Sequence, residues 1–102
     1  MLEKVKAVRE LLTNNWTQGA MARDEAGKAV DAMDESACKW CLMGACAKVT
    51  NQYQNFVEYV QLCDIIANSS GFITLVSFND TAQHEAVLDL LDNVIRRLEN
   101  AA

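Results

Sequence analysis

Three side chains in this sequence could together make a covalent catalyst. Cys41 offers a thiol, His84 is the only histidine, and Asp80 stands four positions before it. A thiol nucleophile needs a base to become thiolate, and the base needs a group that orients it. Cys41, His84 and Asp80 supply those residue types for a cysteine-dependent hydrolase or transferase. His84 falls in the first turn of a predicted helix, with Asp80 just before it. A structural reading competes. Cysteine is among the residues most often buried, and the periodicity puts Cys41 in mid-stripe, away from the helix N-termini that stabilise thiolates. His84 precedes Val87 by three residues, on the apolar stripe of the last helix.

Metal chemistry has less to build on. Cys38 and Cys41 have the Cys-x-x-Cys spacing, with Cys46, Cys63 and His84 further along. A structural zinc site generally takes two such knuckles on turns. Here one pair falls on a predicted helix, so neither a metal nor another cofactor is expected. Binding chemistry has more material. Trp16 and Trp40 are large anchors with a polar handle, and Asn79 and Asp80 offer polar contacts at the rim of a pocket. Core packing for the aromatics and helix capping for Asn79-Asp80 are the plainer roles.

The elements that must position these groups are mostly helical. Leu2, Val5, Val8, Leu11 and Leu12 make one stripe of a helix from about Leu2 to Thr13. Gln18–Asp24 and Lys28–Ala32 flank the tetrad Asp24-Glu25-Ala26-Gly27. Its glycine suits the positive φ of a hairpin loop, which predicts a β-hairpin. Asp34 or Ser36 caps a second helix reaching Val49, with Cys38, Cys41, Leu42, Ala45 and Val49 inward. Gly44 beside that face implies close approach by another segment. A third helix runs from about Gln52 to Ala67 with Tyr53, Phe56, Val57, Val60, Cys63 and Ala67 inward. Phe72–Phe78 is nearly continuous in apolar residues and reads as an extended segment, a third short strand. Asn79-Asp80-Thr81, with Gln83 completing a capping box, starts a fourth helix to about Asn100. The fold class is α+β, mostly α, in one domain.

Several of these fixed points occur in a known order. Trp16 with Gly19-Ala20, the turn Arg23-Asp24-Glu25-Ala26-Gly27, Trp40-Cys41-Leu42-Met43-Gly44-Ala45 and Phe78-Asn79-Asp80 together resemble an uncharacterised domain family of small bacterial and phage proteins. The resemblance runs from the first helix to the last. It implies a compact domain with these residues near one another, and it implies no known activity.

Composition narrows the function. The 102 residues carry a formal charge of -5, and their nine basic residues are scattered, which argues against binding nucleic acid. No stretch has the roughly 20 apolar residues of a membrane span. Glu3 and Lys4 fall inside an amphipathic pattern where an export signal would be apolar, so a reducing cytoplasmic setting with four free thiols is expected. The reading that follows is a small non-enzymatic binding or regulatory module that contacts another protein or forms a homodimer. It predicts a contiguous apolar patch on the surface, or a homodimer.

Overall fold

The computed structural model describes residues 1–71 and 74–101. Helix α1 (Leu2–Asn14) is followed by strands β1 (Ala22–Arg23), β2 (Ala29–Val30) and β3 (Lys39–Trp40). Helices α2 (Leu42–Thr50), α3 (Phe56–Ser70), α4 (Leu75–Thr81) and α5 (His84–Ala101) complete the order. The class is α+β and mostly helical, as expected, but with five helices in place of four.

The amphipathic end helices form as their stripes require. Val5, Val8 and Leu12 of α1 and Val87, Leu91 and Val94 of α5 are buried in one core, where the two helices pack together. Arg9 clamps the pair from outside, its Nε donating to Asp92 at 3.0 Å. The middle of the core is filled by Leu42, Ala45 and Cys46 from α2 and by Tyr59, Leu62 and Ile66 from α3.

The hairpin forms at the expected tetrad. Gly27 has φ +84°, its N–H donates to Asp24 O, and the Asp24 carboxylate accepts from the amides of Ala26 and Lys28. Each strand is only two residues long, so the sheet leans on tertiary contacts. Its order is β2-β1-β3, all antiparallel, with Ala22 opposite both Val30 and Trp40. A bridge from Trp40 to Trp16 ties β3 to the end of α1.

Five expectations are corrected. The third strand is Lys39–Trp40, from the stretch assigned to the second helix. Asp34 holds only a turn, accepting from Ser36 N and Oγ, because the next residues pair with β1 through Cys38 N to Arg23 O at 2.9 Å. Helix α2 therefore starts at Leu42, and Cys41 is its N-cap and not a mid-helix residue. Helix α3 starts at Phe56 and turns another face inward. Tyr59, Leu62 and Ile66 are buried, while Tyr53, Phe56, Val57 and Val60 are exposed. Phe72 and Ile73 of the expected extended run lie outside the described residues, and Leu75–Thr81 is helix α4. Thr74 starts that helix by accepting from Ser77 N, a side-chain cap that outweighs the β-branched content. Asn79 and Asp80 consequently sit inside α4, and α5 begins separately at His84.

Candidate functional site

The site is organised around one buried amide. Asn79 is fully buried and faces inward from α4, one turn after Leu75. Its Oδ1 accepts from the indole N–H of Trp16 at 2.7 Å and from the backbone N–H of Leu42 at 3.0 Å. Its Nδ2 donates to Thr17 O at 3.0 Å. The Leu42 amide is one that a helix N-terminus leaves without an internal partner, so Asn79 completes the start of α2 from a distant element. Gln18 completes the other end of α4, donating from Nε2 to the carbonyls of Asn79 and Ala82, both at 2.9 Å.

This network carries the chemically capable residues. Asp80 projects beside Asn79, and its Oδ1 accepts from Gly19 N at 3.0 Å and from Asn79 Nδ2 at 3.4 Å. Cys41, 4 % exposed, caps α2 by accepting from Gly44 N at its sulfur, 3.2 Å away. Burial pushes the Cys41 thiol above its ordinary value and the Asp80 charge adds to that, against the lowering effect of the Gly44 and Met43 amides. The thiol is held in its protonated form. Gly44 is where the chain approaches most closely, since a Cβ there would lie 1.8 Å from Met21 O. This contact, with Cys41 N donating to Met21 O, sets the 19–21 segment against the start of α2. Between them lies a cleft of about 160 Å³ lined by Gly19, Ala20, Met21, Cys41, Val76 and Asp80.

His84 takes another position. Its ring stacks on Trp16, with centroids 5.0 Å apart and planes within 7°. Its Nε2 lies 2.6 Å from Leu12 O. A carbonyl only accepts, so this nitrogen is the protonated one. Cys41 and Asp80 thus share one cleft, and His84 is not among its walls. Trp40 is buried, with its indole N–H on Ala32 O at 3.0 Å, inside the core. Cys38 lines a separate shallow hollow with Asp24, Glu25 and Glu35. Among the described residues, no three His, Cys, Asp or Glu side chains converge as metal ligands.

Residues 2–97 match the model of a family of unknown function, DUF6197. The chain belongs to that family. No curated protein and no solved structure matches it. Family membership accordingly brings no substrate or partner, and the chemistry must be read from the site. Sequence reasoning singled out Trp16, Cys41, Asn79 and Asp80 but missed Gln18, Met21 and the Leu42 amide. Gly44, a glycine expected inside a helix, was the one signal that pointed to Met21.

Proposed function

We propose that this domain is a small non-enzymatic module that contacts another protein through the exposed start of α3. One observation carries the reading. Phe56 is 63 % and Val57 69 % exposed at the first turn, with Val60 one turn further and Tyr53 just before them. These side chains form an apolar face on a well-packed helix, and covering a Phe or Val contributes about 1.5–3 kcal/mol each. The exposed Asp64 borders the face, and Glu58 beside it is paired with Lys4 at 3.8 Å, in a chain of net charge -5. The complementary partner is an apolar ridge flanked by Lys or Arg, and like charge disfavours a second copy of this chain.

The chemistry of the cleft fits this reading better than catalysis. The Cys41 thiol is held protonated, and His84, which donates from Nε2 to Leu12 O, is not among the walls of the cleft. The cysteine-dependent hydrolase or transferase using Cys41 and His84 retains one favourable observation, the contact of Cys41 with the cleft.

The test is photocrosslinking in cells from a benzoylphenylalanine placed at Val57, with Glu25 in the hairpin turn as the control position. A discrete protein adduct from position 57 alone is expected, abolished by Phe56→Glu. Identical adduct patterns from both positions would sink the proposal, and an adduct of the chain with itself would replace the partner by a homodimer.

A further inference from the structure

The cleft beside Asp80 has a chemistry of its own, independent of the α3 face. Asp80 is the charged group on its wall. Its Oδ1 is fixed by Gly19 N and Asn79 Nδ2, while its Oδ2 takes no hydrogen bond from any described residue. Among the described residues Asp80 joins no ion pair. Arg23, near Gly19, spends donors on the carbonyls of Gln18 and Gly27 and makes no hydrogen bond to Asp80. The carboxylate is therefore preorganised by a rigid network and keeps one oxygen for a ligand. The remaining walls are apolar: Ala20, Met21 and Val76, with the Cys41 sulfur already accepting from Gly44 N.

That arrangement selects among ligands. An anion is repelled by Asp80. A guanidinium binds best through two parallel hydrogen bonds to both carboxylate oxygens, and Oδ1 is taken. A quaternary ammonium needs aromatic faces around it, and among the described residues no wall of the cleft is aromatic. A primary ammonium is a compact point charge with three donors on a flexible stem. One free carboxylate oxygen and an apolar cleft suit it, and 160 Å³ has room for about five non-hydrogen atoms.

We propose that the cleft formed by the Gly19–Met21 segment, Cys41 and α4 binds a primary alkylammonium group. Asp80 Oδ2 accepts its N–H, and its stem packs on Ala20, Met21 and Val76. The same group is carried by a free short-chain amine and by a lysine side chain of another protein, and the ligands below separate the two.

The experiment is a titration of the ¹⁵N-labelled full chain, at constant ionic strength, with n-butylammonium, the neutral isostere n-butanol, and a lysine capped at both ends. Saturable shifts of the Gly19 and Met21 amides by n-butylammonium are expected, with a Kd of about a millimolar. n-Butanol should bind about tenfold more weakly or not at all, and Asp80→Asn should weaken n-butylammonium by a similar factor. Binding of the capped lysine identifies a protein side chain as a ligand that fits, and its exclusion with n-butylammonium still bound identifies a free amine. The proposal is overturned if n-butanol matches n-butylammonium, if Asp80→Asn binds it unchanged, or if the wild type shows no saturable shift. Should Asp80→Asn lose its native spectrum, the n-butanol comparison on the wild type decides alone.

Discussion

Replacing Asn79 by Ala is the most informative perturbation, because one side chain ties together three segments: α4, the Trp16–Thr17 stretch and the start of α2. The substitution removes the acceptor for Trp16 Nε1 and Leu42 N and the donor to Thr17 O. Leu42 is fully buried, so its amide has no access to water and bears the whole cost of desolvation. An orphaned buried polar group costs about 1–3 kcal/mol. The Leu42 amide bears that in full. The Thr17 carbonyl and the Trp16 indole are only part-buried and recover some of it from water. The sum is about 3–5 kcal/mol. That is a large share of the roughly 5–15 kcal/mol that holds a domain of this size. Urea unfolding followed by circular dichroism should show the midpoint falling by about 2 M with an unchanged slope. Asn79→Asp is the internal control. It keeps acceptors for Trp16 and Leu42 but puts an oxygen against Thr17 O and a second carboxyl beside Asp80, so its cost should shrink as pH falls and that carboxyl protonates. A loss below about 1 kcal/mol for Asn79→Ala, or a pH-independent cost for Asn79→Asp, would refute the view that this amide holds the site together.

Three further outcomes are expected. Gly44→Ala forces a Cβ to within 1.8 Å of the Met21 carbonyl. Backbone must move, and thermal unfolding should show a loss of about 3 kcal/mol or more, or no folded protein. His84→Ala should cost about 1–2 kcal/mol through the lost Trp16 stack and Leu12 contact, and should leave the alkylation rate of Cys41 by iodoacetamide unchanged between pH 5 and pH 9. A drop in that rate would revive the nucleophile. Stability should also fall in alkali. Cys41 and Cys46 are pushed above an ordinary 9.0, and Tyr59 above 10.0, chiefly by burial for Cys41 and Tyr59 and by contact with Cys63 for Cys46. These raised groups hold their protons more tightly folded than unfolded, so their contribution is complete below pH 9 and fades as pH rises through the folded values. Cys63 shifts the other way and offsets part of this. Melting temperatures that hold or rise between about pH 8 and pH 10.5 would contradict it.

The legible parts of the fold are those with a single local signal. Helices α1 and α5 each carry one apolar stripe, and the hairpin carries a turn tetrad with glycine at the residue of positive φ. Helix α3 was misread because it is apolar on two faces. Phe56, Val57 and Val60 compete with Tyr59, Leu62 and Ile66 at the same period, and only packing against α2 and α5 selects the second set. The start of α2 was misplaced because Asp34 and Ser36 look like caps, whereas residues 38–40 are claimed by β1. Trp16, Asn79 and Asp80 stood out by type. Their contacts with Leu42 N and Gly19 N did not, since a side chain reaching a backbone amide 37 or 61 positions away leaves no trace in local pattern.

The Leu42 amide also keeps a record of the whole molecule. It is freed only when α4 withdraws from α2 and from the end of α1, segments that lie far apart along the chain. Fraying of the hairpin or of either terminus leaves it untouched. Its hydrogen should therefore exchange with deuterium at the rate set by global unfolding, while amides of the two-residue strands exchange earlier. A single peak in a spectrum would then report whether the entire chain has come together.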